Sequence, residues 1–84
     1  MNDVFFTFRS VTAAMRGSRL LADQSIRSLT VRTPKLLQEQ GCGYSLRIRA
    51  PDAVRARQAF EQAQLRYSRI YRRGGDGQWQ EVTL

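Results

Sequence analysis

Gly41-Cys42-Gly43-Tyr44-Ser45-Leu46-Arg47-Ile48-Arg49-Ala50-Pro51-Asp52 is the stretch on which the fold turns. Tyr44, Leu46 and Ile48 alternate with Ser45, Arg47 and Arg49, the period of a strand with one buried face. Pro51 suits the first position of a helix, and Asp52 suits its positive end. A strand therefore runs straight into a helix, which the apolar stripe Ala53, Ala56, Phe60 and Ala63 carries to about Leu65. Upstream, Val4-Phe5-Phe6-Thr7-Phe8 is β-branched and aromatic and reads as a first strand. Ser10 then caps a helix whose positions Val11, Ala14, Met15, Ser18, Leu21 and Ala22 fall on one face. That helix stops near Asp23-Gln24, and Gly17 weakens it by about 1 kcal/mol relative to alanine. Ile26 to Thr33 returns to strand character, with Leu29 and Val31 on the inner side and Ser28, Thr30 and Arg32 on the outer. Pro34 ends it. Downstream, Arg66 to Arg72 reads as another strand, centred on Ile70 and Tyr71. Gly74-Gly75-Asp76-Gly77 is a turn cluster.

The order is β-α-β-β-α-β, the split βαβ arrangement of ferredoxin-like domains. The expected architecture is an α+β sandwich with an antiparallel sheet in the order 4-1-3-2 and both helices on one face. Residues 1–73 form a single ferredoxin-like domain in this reading. Residues 74–84 are a C-terminal turn followed by a tail or an extra edge strand, carrying Trp79 and Val82. The two halves share a layout but no residue pattern.

Composition narrows the function classes. With 84 residues the chain holds one core and little room for a deep cleft. There is no histidine, so the commonest general base and metal ligand are missing. One cysteine excludes an internal disulfide and a Cys-rich metal site within the chain. The carboxylates sit on separate elements with no paired spacing, and no phosphate-binding glycine loop is present. No complete catalytic constellation exists, and neither a metal nor a cofactor is expected. The net charge is +7, and of the 14 basic residues only Lys35 is not arginine. Arginine grips phosphate or carboxylate bidentately, so nucleic acid and acidic proteins are the partners to weigh. The charges are spread from Arg9 to Arg73 and also fit a solvated surface. No apolar run approaches the roughly 20 residues of a membrane span, and the N-terminus lacks the charged region of a signal peptide. An unpaired cysteine fits a reducing compartment, which makes the cytoplasm the expected location.

The topology places that cysteine. The connection between the second and third strands lies at the end of the sheet where the first strand finishes and the first helix starts. Cys42 is therefore expected beside Phe8, Arg9 and Ser10. Arg9, Lys35 and Arg66 leave connections at this end, and cations favour the reactive thiolate form. Gly41 and Gly43 leave the approach to the sulfur open. Such a thiol suits sulfur or selenium transfer. A buried cysteine acting as a small hydrophobe is the alternative.

Four stretches carry a resemblance: Phe5-Phe6-Thr7-Phe8 with Ser10, Thr33-Pro34-Lys35, the Cys42-Gly43 step, and Ile70-Tyr71-Arg72. In this order and spacing the chain resembles a small bacterial family, putative selenium/sulfur carrier protein-like, from about Val4 to Arg72. The resemblance implies cargo held on Cys42. It also implies cysteine desulfurases or other sulfur- and selenium-handling proteins as partners. The segment Leu36-Leu37-Gln38-Glu39-Gln40-Gly41 is more apolar than the family pattern, and the arginine content is higher.

A second expectation concerns the sheet face away from the helices. There the alternation gathers Phe5, Arg9, Arg32, Arg47, Arg49, Tyr67, Arg69 and Tyr71. Aromatic rings stack bases at roughly 1–3 kcal/mol each and arginines hold phosphates, so this face would suit single-stranded RNA. It would equally suit a protein interface, a homodimer included. The third strand lacks the aromatic signature of RNA-recognition domains, and Trp79 is a candidate cover for the face.

Overall fold

The computed structural model describes residues 3–37 and 43–84. Five strands and two helices alternate: β1 (Asp3–Thr7), α1 (Val11–Asp23), β2 (Ser28–Arg32), β3 (Tyr44–Arg49), α2 (Ala53–Gln62), β4 (Ile70–Arg73) and β5 (Trp79–Glu81). The strands make one sheet in the order β2-β3-β1-β4-β5. Every pairing is antiparallel. This is the expected ferredoxin-like α+β arrangement, with β5 added as an edge strand beside β4. No helix among the described residues is long and apolar enough to cross a membrane.

The register separates the two faces. Val4 and Phe6 oppose Ile48 and Leu46, and Phe6 also opposes Ile70. All are buried, and with Phe8, Leu21, Ala56 and Phe60 they form the core. Aromatic edges fix this packing: Phe60 meets Phe6 at 5.3 Å and Phe8 at 5.7 Å, both T-shaped. On the other face, Phe5 and Tyr71 are register partners, as are Asp3 and Arg49, Phe5 and Arg47, and Thr7 and Ser45.

Both helices end with the same device. Ile26 N–H donates to the Leu21 carbonyl, and Ser25 N–H to that of Ala22. Leu65 N–H donates to the Phe60 carbonyl, and Gln64 N–H to that of Glu61. Ser25 (φ 59°) and Gln64 (φ 55°) take the left-handed conformation between them. These are Schellman closures, each completed by a buried apolar pair, Leu21 with Ile26 and Phe60 with Leu65. Neither closing residue is the usual glycine, so the kinship of the two halves is invisible in residue identity.

Three sequence expectations are corrected. In β2 the faces are reversed: Ser28, Thr30 and Arg32 oppose Ile48, Leu46 and Tyr44 on the helix side. Leu29 opposes Arg47 on the other face and is 56% exposed. The cause is Ile26, which is 3% exposed and enters the core ahead of the strand. It sets the phase, and the helix side of this edge strand is only partly covered, with Ser28 half-buried and Thr30 and Arg32 exposed. In α1 the buried residues are Ala14, Gly17 and Leu21, whereas Val11, Met15 and Ala22 face solvent. The small residues let the helix approach the sheet closely. β4 starts at Ile70 rather than Arg66, because the pairing with β1 is bulged at Thr7: its N–H donates to the Arg69 carbonyl at 2.9 Å and its carbonyl accepts from Ser68 N–H at 2.7 Å, so two residues face one. Arg69 N–H donates to Thr7 Oγ1 at 3.0 Å, and Thr7 Oγ1 donates to the Arg69 carbonyl at 3.3 Å.

Candidate functional site

One end of the sheet brings together the described residues among those expected around the thiol, Arg9, Ser10, Lys35 and Gly43. β1 finishes at Thr7, whose register partner is Ser45, the second residue of β3. Phe8, Arg9 and Ser10 then lead into α1. Ser10 is extended, and its Oγ accepts from Ala13 N–H at 3.1 Å. Its hydroxyl is thus committed to capping the helix. Arg9 and Lys35 are exposed and make no ion pair with a described residue. Gly41 and Cys42 lie outside the described residues, as do Gln38, Glu39 and Gln40.

Gly43, the residue that follows the cysteine, is tied down. Its carbonyl accepts from Thr33 N–H at 2.6 Å. Two residues further on, Ser45 Oγ and Thr33 Oγ1 lie 2.6 Å apart. Ser45 is fully buried and Thr33 is 3% exposed. Thr33 therefore clamps the start of β3 through both backbone and side chain, closing the base of the connection that contains the thiol. Leu37 N–H donates to the Pro34 carbonyl at 2.8 Å, which starts that connection as a single turn.

The clamp has a measurable consequence. Thr33→Val keeps the shape but removes the hydroxyl, so Ser45 Oγ loses this bond in a buried site. The expected cost is about 1–3 kcal/mol. Adding Ser45→Ala to Thr33→Val should restore part of it, since both polar groups are then gone. Urea midpoints of the two single variants and the double variant check this. A Thr33→Val midpoint equal to that of the unmodified chain contradicts the clamp.

The outer sheet face is assembled differently from the sequence expectation. Phe5, Arg47, Arg49, Arg69 and Tyr71 lie on it. Arg32 does not: it sits on the helix side, 5.5 Å from the Tyr44 ring. Tyr67 does not either, since its ring packs on Phe6 at 5.1 Å and on Phe60 at 6.2 Å. Ser68 and Arg69 together face Thr7, a bulge that shifts the alternation by one residue, and Tyr67 turns into the core. The remaining aromatics are covered. Trp79 of β5 meets Phe5 edge-on at 4.9 Å, and Tyr71 is 8% exposed. The arginines are largely engaged: Arg47 with Asp3, Arg69 with Glu81 at 2.9 Å, and Arg73 over the Trp79 ring at 5.5 Å. Arg49 is exposed and makes no ion pair with a described residue, while the rings of the face are largely covered, which leaves little for base stacking.

Comparison with protein-family models gives a match over residues 3–72, to the family described as Putative Se/S carrier protein-like. The chain belongs to this family. The matched span runs from the first residue of β1 into β4 and leaves β5 outside it. The four stretches that carried the resemblance all fall inside it. Comparison with curated proteins and with solved structures gives no match.

Proposed function

We propose that the protein carries sulfur or selenium on Cys42 and hands it between partner proteins. Family membership carries this reading, and the single Cys-Gly step is the matching thiol. The described geometry supports it in two respects. Thr33 anchors the residue after the cysteine, and the exposed Arg9 and Lys35 supply positive charge at the same end of the sheet. Gly41 and Gly43, flanking Cys42 in sequence, add no side chains that would hinder a partner, and Ser10 orders the start of α1 at the end of the sheet where Gly43 enters β3.

In the loading step the Cys42 thiolate attacks the terminal sulfur of a donor protein's persulfide. The donor's S–S bond breaks, and its sulfur leaves as thiolate with the electron pair. Cys42 then holds one added sulfur atom, and no net oxidation occurs. Unloading repeats the step with Cys42 as the leaving thiolate. With selenium as cargo, a selenium atom takes the terminal position. A chain with no histidine and no second cysteine has no base or resolving thiol of its own. Loading and unloading therefore both fall to partners, with a cysteine desulfurase in the cytoplasm as the proposed donor.

Intact mass after incubation with a cysteine desulfurase and cysteine tests the reading. One added sulfur is expected on the wild-type chain, removable by a thiol reductant and missing in Cys42→Ala. An alkylating probe should modify Cys42 in the folded state below neutral pH. A thiol protected until the chain unfolds would overturn the proposal.

A further inference from the structure

The solvent face of α1 is unusual for a small basic domain. Val11, Met15 and Arg19 follow one another at intervals of four residues, so they form a single stripe along the helix. Val11 is 44% exposed and Met15 is 62% exposed, the largest exposure among the large apolar residues described. Arg16 and Arg19 are exposed beside them, and Arg9 stands just before the helix. None of these three arginines makes an ion pair with a described residue. The arginines of the outer sheet face behave otherwise, since Arg47 and Arg69 are held by Asp3 and Glu81. The stripe begins at Val11, at the end of the sheet where Gly43 enters β3.

We infer that this α1 stripe is a docking surface for an acidic protein, the one that loads or unloads Cys42. The inference rests on the carrier reading above and names the chemistry of its partner. Charge decides the occupant. A second copy is a poor match, because it carries the same net charge of +7 and, of its six described side-chain carboxylates, Asp3, Asp52, Glu61 and Glu81 are already paired with arginines of their own chain. Nucleic acid would match the charge but not the stripe, since α1 carries no aromatic residue to stack on a base. Aliphatic anchors ringed by arginine suit a protein surface with an apolar centre and a rim of carboxylates. Methionine at the centre adapts to such a surface through its flexible side chain, and arginine is enriched at interfaces.

The test compares two routes of loading for the wild-type chain, Met15→Glu, Arg19→Glu and the conservative Met15→Leu. Cargo on Cys42 is read by intact mass, first on protein isolated without reductant from cells of its native host. It is then read on reduced protein treated with a low-molecular-weight persulfide, which needs no docking. The inference expects cargo from cells to fall about tenfold or more in Met15→Glu and in Arg19→Glu. It expects little change in Met15→Leu, and equal loading of all four chains by the small persulfide. Equal cargo in all four chains from cells overturns the docking surface and leaves the carrier reading standing. A wild-type chain that takes cargo by neither route overturns the carrier reading, and the docking surface with it. A photoreactive residue at position 15 identifies the occupant. Cross-links to a carboxylate-rich segment of another protein support the inference, whereas cross-links to RNA or to a second copy overturn it.

Discussion

Phe60→Ala should cost about 3–5 kcal/mol, the range for removing a fully buried aromatic side chain. Phe60 is 0% exposed and its ring meets those of Phe6, Phe8 and Tyr67. It therefore joins α2 to β1 and to the irregular entry into β4 at a single point. It also closes α2, because Leu65 N–H donates to its carbonyl and the two side chains are buried at that turn. The loss would be a large part of the roughly 4–12 kcal/mol that a chain of this size holds. With a urea dependence of about 1.5 kcal/mol/M, the midpoint should fall by about 2–3 M. Urea unfolding followed by circular dichroism measures it. A loss below about 1 kcal/mol would mean that the cluster relaxes into the space and that Phe60 is not its centre.

Gly17→Val is the second large effect, and it acts through space rather than through lost contacts. A Cβ at Gly17 would stand 3.0 Å from Leu46 Cδ1 and 3.2 Å from both Phe60 Cε1 and Phe8 Cζ. Alanine at this position gains about 1 kcal/mol of helix propensity. It loses about 1–3 kcal/mol to overpacking, so Gly17→Ala should come out neutral to moderately destabilising. Valine adds two methyl groups in the same gap without alanine's propensity, and the expected loss is about 3 kcal/mol or more. The order of thermal midpoints should be glycine, then alanine, then valine. An alanine variant stabilised by its whole propensity gain would show that α1 does not lie this close to the sheet. The same contact sets where α1 begins relative to β1. It thereby governs the position of Arg9, Ser10 and Val11 at the end of the sheet where Gly43 enters β3.

Much of this arrangement was legible along the chain. Strict alternation from Tyr44 to Arg49 identified β3 and both of its faces. Ser10 and Pro51 marked the two helix starts, and the order of elements led to the strand order. The Cys42-Gly43 step and its companion stretches pointed to the family that the model match then established.

The misjudged features share a physical origin. Periodicity shows which residues lie on one face of an element, and it does so well for β3 and α1. It does not say which face is buried, because burial belongs to the neighbour as much as to the residue. Val11 and Met15 are larger than Ala14 and Gly17, yet α1 buries Ala14 and Gly17 with Leu21, and at Gly17 even a Cβ would stand within 3.2 Å of Leu46, Phe8 and Phe60. Leu29 is more apolar than Ser28 or Thr30, yet Ile26 had already set the phase of the edge strand. Tyr67 left the outer face because Ser68 and Arg69 together face Thr7 of the distant strand β1, a bulge that shifts the alternation by one residue. Local pattern was enough for the list of elements and their order. Close packing between elements distant in the chain decided which side of β2 and α1 faces the core, and so left Met15 and its arginines in solvent.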